Sequence, residues 1–389
     1  MTIAELMAQF RADADGIDGP ACLAELMEQM DRGLAGQGRI PMLPSYLNPA
    51  ITVPEGAVCC AADAGGTNFR TARAVFRRGR WALEELEKAP MPGTEGELSF
   101  PEFYAALASP MARLGNLERV GLCFSYNVSL DRSLDGTLDF WCKEVRAPEA
   151  VGKPVGASLK AALGEGCRRV HVLNDSVAAM LGADDVQVGV ILGTGVNVCY
   201  LERCENIPKV PGDLKADAMI VSTEVGEFDG FPKSAFEQAV IAASDAPDSA
   251  PAEKQCSGGY LGDVIAAAWR SAEEAGLLDA CPPSDLGSVS ALLLESPHSP
   301  AAQIAAIAVE RAAKIAAVLC AGPILRAARP DAPVRVAVEG SQYWRLTGFR
   351  DAFHRFLDRL LAGRTAYVIV PSENACLLGA AKAAWAEPM

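Results

Sequence analysis

Val58 to Ala62 is a run of apolar residues, and from Phe69 to Phe76 apolar and polar positions alternate, with Gly65-Gly66 between the two segments. Alternation at period two predicts strands, and a glycine pair between them predicts a tight hairpin, with left-handed φ at both central positions. The pattern recurs at Gln187 to Glu202, where Gly193-Thr194-Gly195 separates two further apolar strands. Helical spacing marks Ile3 to Phe10 and Cys22 to Leu34, the second stopped by Gly36 and Gly38. Between the second helix and the first hairpin, Arg39 to Leu47 is an extended, proline-punctuated segment.

After the first hairpin the pattern predicts a third strand at 81–88 and a helix at 100–114. A buried strand at 119–125 ends on Ser125-Tyr126-Asn127, and a second hairpin signal stands at Asp135-Gly136. A helix at 152–163 follows, then a strand at 168–173 that delivers Asn174-Asp175 to a helix opening at Val177. Beyond the second glycine turn come a strand at 218–222, a loop at 244–252 and helices at 260–275, 284–294 and 301–329, the last expected to break at Gly322-Pro323. Strand 334–338, helix 348–361, strand 365–370 and helix 376–385 complete the chain. Two sheet-plus-helix halves, each opening on a glycine turn, imply a nucleotide held between them.

The chemistry of the first turn agrees. No side chains cover Gly65-Gly66, so backbone N–H groups can approach an anion, and Thr67, Asn68 and Arg70 add a hydroxyl, an amide and a guanidinium. Asp63, at the end of the incoming strand, makes sense beside a phosphate chiefly as a ligand to a divalent cation. Taken alone, such a turn is more often only a hairpin. Neither GxxxxGK[ST] nor GxGxxG occurs, which disfavours the P-loop and dinucleotide folds.

At 389 residues the chain has room for two or three structural units. Its 35 basic and 49 acidic residues leave a net charge of -14, which argues against nucleic acid or an anionic membrane as partner. Positive charge for a polyanion must therefore be concentrated locally. The 12 cysteines are scattered through apolar runs, which reads as reduced core thiols in a cytoplasmic protein. With no CxxC, no HExxH and the 3 histidines far apart, a zinc site is not expected. The acidic first segment is no signal peptide, and the most apolar stretch, 301–321, is broken by Glu310, Arg311 and Lys314, so no membrane span is expected.

Nearly the whole chain resembles the hexokinase and glucokinase family of the actin-like ATPase clan, in a bacterial-type form. Met42-Leu43-Pro44-Ser45-Tyr46 is similar to the family's MLPTYV, and Asp63 to Arg70 to its DLGGTNFR phosphate motif. Phe124-Ser125-Tyr126-Asn127 stands for FSFP, Cys142-Lys143-Glu144-Val145 for TKGF, Asn174 to Ala179 for NDTVGT and Gly193 to Tyr200 for GTGxNACY. Glu224 falls on the glutamate of EWGAFGD and Glu253 on that of EKLIGGKYMGE. Val338-Glu339-Gly340-Ser341 matches VDGS, and Ser372 to Ala381 weakly keeps the hinge motif SEDGSGxGAA.

The resemblance implies an α/β, two-lobed actin-like ATPase (ribonuclease H-like) fold. The large lobe would comprise 1–57 and 174–374, the small lobe 58–173 and 375–389, with a cleft between them. It implies transfer of the γ-phosphoryl of ATP to the 6-hydroxyl of a hexose, glucose being favoured. Asp175 would be general base, with Lys143 reaching the transferred group; an aspartate just after a strand is otherwise a common helix N-cap. Ser125, Lys143, Asn174, Asp175, Asn197, Glu224 and Glu253 would hold the sugar. Gly65, Gly66, Thr67, Asn68, Arg70, Thr194, Gly340 and Ser341 would hold ATP, with Mg²⁺ at Asp63 and Asp175. Sugar binding would close the lobes about hinges near Asn174 and 372–375. Asn127 for proline, Cys142 for threonine, Ala250 for a glutamine contact and Ala375-Cys376-Leu377 for GSG depart from the family, so a kinase of another hexose or an amino sugar, and a catalytically silent sugar sensor, stand as alternatives.

Overall fold

The computed structural model describes residues 2–115, 118–141, 145–210, 212–214, 216–371 and 373–389. The chain opens with helices α1 (Ile3–Gln9) and α2 (Gly19–Leu34) and strand β1 (Leu43–Pro44). Then follow β2 (Val58–Ala64), β3 (Asn68–Arg77), β4 (Arg80–Pro90), α3 (Phe100–Arg113), β5 (Arg119–Phe124), β6 (Asn127–Leu130), β7 (Gly136–Phe140), α4 (Val155–Leu163) and β8 (Arg169–Leu173). Helix α5 (Asp175–Leu181) leads to β9 (Val188–Leu192), β10 (Val196–Arg203) and β11 (Ala218–Ser222). Helices α6 (Ala235–Ala243), α7 (Pro251–Cys256), α8 (Gly258–Glu274), α9 (Leu286–Glu295) and α10 (Pro300–Arg326) come next. The chain ends with β12 (Val334–Glu339), α11 (Ser341–Arg345), α12 (Phe349–Leu361), β13 (Tyr367–Val370) and α13 (Ala375–Ala383).

One sheet has the order β4-β3-β2-β5-β8 and the other β1-β11-β10-β9-β12-β13. In each, an antiparallel meander (β2-β3-β4; β9-β10-β11) continues into two parallel strands (β5, β8; β12, β13). The glycine turn seen twice in the sequence is thus the first corner of a repeated sheet. Parallel strands deliver their C-terminal ends to one edge, where ligands of open α/β sheets bind.

Between the sheets lie α5, packed on β9 and β10, and α13, packed on β2 and β5. The two helices cross backbone to backbone. A Cβ at Gly379 would fall on the Ala178 carbonyl oxygen, and one at Gly182 on that of Ala375. Apolar residues form one core beneath the second sheet with α2, α8, α10 and α12, a second around α5 and α13, and a third joining the first sheet to α3 and α4.

Three expectations are corrected. Helix α10 runs through Gly322-Pro323 unbroken. Gly322 serves close packing, since a Cβ there would come within 3.0 Å of Met30 Sδ on α2, and burial of most of the helix outweighs the amide hydrogen that Pro323 lacks. Gly65 does not take a left-handed φ. The turn spans Gly65 to Thr67, closes at the Ala64–Phe69 pair and is held by Gly65 N–H donating to the Asn68 carbonyl at 3.0 Å. The 244–252 segment is not all loop either: α7 begins at Pro251, after Ala250 turns the chain with a φ of 44°.

Candidate active site

Strand β8 ends inside the fold and passes its last residues to α5. Asn174 is the N-cap: its Oδ1 accepts from the Ser176 N–H at 2.9 Å and from the Ser176 hydroxyl at 2.7 Å. Capping therefore falls to Asn174, and Asp175 occupies the first turn, where its Oδ1 also accepts from the Ser176 N–H at 2.8 Å.

Asn197, on β10, binds this group to the next. Its Nδ2 donates to Glu224 Oε1 at 2.6 Å, to the Ser222 hydroxyl at 3.0 Å and, at 3.4 Å, to Asn174 Oδ1. Its Oδ1 accepts from the Glu224 N–H at 3.1 Å. Glu224 follows β11 with a φ of 58°, a strained conformation for glutamate that turns its side chain back onto Asn197. Ser222 donates to the same carboxylate oxygen at 2.8 Å. Burial raises the Glu224 carboxyl to about 7; the charges of Asp175 and Glu253 push the same way, and hydrogen bonds from Ser222 and Asn197 oppose them. Glu253, in α7, accepts from the Val196 N–H at 3.0 Å, and its Oε2 would lie 2.7 Å from a Cβ at Gly195. Glycine at 195 leaves room for the carboxylate over the second turn.

That turn is braced from behind. The first N–H groups of α8, at Gly258 and Gly259, donate to the carbonyls of Gly193 (2.7 Å) and Thr194 (2.9 Å). Gly340, with φ of 125°, presses against it so closely that a Cβ would fall on the Leu192 carbonyl. Ser341 begins α11 alongside.

On the first sheet, Asp63 and Arg70 pair with each other. The Arg70 Nε and Nη2 reach Asp63 Oδ2 at 2.9 and 2.6 Å, Nη1 reaches Asn374 Oδ1 at 3.4 Å, and Nη2 lies 3.8 Å from Glu339 on the opposite sheet. Burial raises the Glu339 carboxyl; Arg70 lowers it, and the charges of Asp63 and Asp175 raise it further. Asp63, Asp175 and Glu339 therefore share one electrostatic environment between the sheets. Ser125, after β5, donates its N–H to the Ala64 carbonyl at 3.1 Å, and the Asn68 amide donates to the Thr67 hydroxyl at 2.8 Å.

The structure thus gathers Asn174, Asp175, Asn197, Glu224 and Glu253 into one group and sets Asp63 and Arg70 beside it. Lys143, together with Cys142 and Ser372, lies outside the described residues. Sequence reasoning did not single out the Glu339 carboxylate, although the matching motif covers it, nor Ser222 and the α8 N-terminus, which only the strand register brings close. Among the described residues no three histidine, cysteine or acidic side chains are grouped so as to hold a metal ion.

Two Hexokinase family models match residues 2–184 and, in the second half, 187–292 and 294–386. The chain belongs to the hexokinase family. Among its curated relatives, Hexokinase-2 of Solanum tuberosum is 34% identical over 64% of the chain and 56% of its own length. Hexokinase-7 of Oryza sativa subsp. japonica is 32% identical over 68% of the chain and 62% of its own length. The chain thus spans little more than half of the hexokinases it matches. Among solved structures, a hexokinase from Schistosoma mansoni complexed with glucose superposes with a TM-score of 0.82 at 22% identity, over 98% of both chains. A ROK family glucokinase from Streptomyces griseus in complex with glucose and AMPPNP reaches 0.54 at 18% identity, over 84% of this chain and 98% of that one. The fold is the two-lobed actin-like ATPase fold of sugar kinases, as the motifs implied.

Proposed function

We propose that the protein is an ATP-dependent hexokinase that transfers the γ-phosphoryl group to the 6-hydroxyl of a hexose, with glucose as the favoured acceptor. The observation that carries this is the Asn197 amide, which ties Asn174, beside Asp175, to Glu224 at the mouth between two glycine turns. Carboxamides and carboxylates at fixed separations match the vicinal hydroxyls of a sugar, and Asn174, Asn197, Glu224 and Glu253, with Ser125, supply them. Asp175 is the base that accepts the hydroxyl proton as the oxygen attacks; Lys143 is assigned to the transferred group. Gly65, Gly66, Thr67, Asn68, Thr194, Gly340 and Ser341 line the nucleotide side.

Asp63, with Asp175 near it, would hold Mg²⁺. One Asp63 oxygen already serves Arg70, and no cage of three protein ligands is present among the described residues. Such a sparse donor set suits a cation bound mainly by phosphate and water. When bound, the cation would offset charge on the triphosphate. Arg70 then orients Asp63 as well as facing the phosphates.

Ala250 supports the second reading, a kinase of another hexose or an amino sugar. It turns the chain left-handed ahead of Glu253, and it carries only a methyl group where the resemblance implies a glutamine contact. The experiment is coupled ATP turnover with glucose, mannose, fructose and glucosamine, for the wild type and for Asp175→Asn. The substitution should lower kcat by about 10²–10⁴ while glucose still binds. Wild-type protein that binds glucose yet turns over no ATP with any of the four sugars would establish a sensor instead.

A further inference from the structure

Tyr126 stands third in the Phe124-Ser125-Tyr126-Asn127 segment, where the FSFP motif has phenylalanine. Its residue is 4% exposed, and its ring lies 4.9 Å between centroids from Phe124 and, edge-on, 5.0 Å from Trp141. A phenylalanine would supply that packing equally well. The hydroxyl does something more: it donates to the Gly65 carbonyl oxygen at 2.8 Å.

The Gly65 carbonyl and the Gly66 N–H belong to one planar trans peptide and point in opposite directions. Holding the carbonyl on Tyr126 therefore aims the Gly66 N–H away from Tyr126. Glycine at 65 and 66 offers little steric resistance to rotation of this peptide, so an external tether has something to restrain. The neighbouring Ser125 N–H is tied to the Ala64 carbonyl at 3.1 Å, so two consecutive residues of the sugar-side segment bond two consecutive carbonyls of the phosphate turn.

We propose that Tyr126 is a positioning residue that couples the sugar-side segment to the phosphate turn, holding the Gly65-Gly66 peptide in the orientation that receives a nucleotide phosphate. The proposal rests on the kinase reading above, but binding measurements separate the two. Tyr126→Phe keeps the ring and deletes the hydroxyl. Affinity for the Mg²⁺ complex of AMPPNP, which transfers no phosphoryl group to glucose, measured by titration calorimetry with and without glucose, should weaken about two- to tenfold, and more with glucose bound than without it. KM for ATP should rise in parallel, while glucose affinity measured without nucleotide stays at the wild-type value. Tyr126→4-aminophenylalanine, which restores a donor in the same place, should recover the loss. Nucleotide affinity of Tyr126→Phe equal to wild type, or a loss that the aminophenylalanine variant does not recover, would overturn the proposal. A wild type that binds MgATP but phosphorylates no hexose would overturn the kinase reading, and the nucleotide comparison would still decide the role of Tyr126.

Discussion

Glu224 offers the sharpest test of the site's electrostatics, because its protonation should be linked both to folding and to sugar binding. Its carboxyl is raised from 4.5 to about 7, first by burial and then by the charges of Asp175 and Glu253. At about 1.4 kcal/mol per tenfold change this is roughly 3 kcal/mol, and residual solvent access reduces it to about 1–3 kcal/mol. Between the two values the folded state binds more protons than the unfolded one, so stability falls as pH rises from about 4.5 to 7 and levels off above. Glu224→Gln removes the titration. Its stability relative to wild type should therefore improve by about 1–3 kcal/mol between pH 5 and pH 8, read from urea denaturation of the sugar-free protein.

Sugar binding should act on the same proton. Hydroxyls donating to Glu224 favour the carboxylate, so binding near pH 6 should release close to one proton, and affinity should rise with pH up to about 7. Calorimetry in two buffers of different ionisation enthalpy measures that number directly. A heat of glucose binding independent of buffer, together with a Glu224→Gln stability difference that is the same at pH 5 and pH 8, would refute the electrostatic reasoning.

Arg311 and Glu237 form an ion pair with side chains 3% and 1% exposed, so Arg311→Met should cost about 3–5 kcal/mol in urea denaturation by stranding the carboxylate. Replacing both partners with apolar residues should cost markedly less. Gly379→Ala would drive a methyl group onto the Ala178 carbonyl of α5; a loss of about 1–3 kcal/mol is expected from thermal melting, with a fall in turnover because α5 carries Asp175. Glu339→Gln removes one of the two carboxylates facing Arg70 and should weaken the dependence of nucleotide affinity on Mg²⁺ concentration, measured by calorimetry across a Mg²⁺ series.

Much of this architecture is written at short range. Both glycine turns, the delivery of Asn174-Asp175 by a strand into a helix, and the order of strands and helices follow from periodicity and turn chemistry, which involve residues a few positions apart. What was not legible depends on the register of distant segments. Nothing local says that Ser222 lies opposite Cys199 across β10–β11, which places it beside Asn197. Glycines mislead in the same way. The helix expected at 260–275 opens two residues earlier, at Gly258 and Gly259, whose N–H groups donate to the carbonyls of the 193–195 turn, and Gly322 is a contact with α2 rather than a kink. Gly65 likewise provides room and not a left-handed φ.

The distribution of charge connects the acidic chain to its proposed substrate. Asp63, Asp175, Glu224, Glu253 and Glu339 lie close enough between the sheets to influence one another, and Arg70 pairs with Asp63 and faces Glu339. A bare triphosphate entering that field would meet net repulsion, since unit charges about 4 Å apart at a protein surface interact by several kcal/mol. On the proposed reading, such a field suits a polyanion that brings its own cation, and a neutral, hydroxyl-rich acceptor for which the carboxylates would serve as hydrogen-bond acceptors.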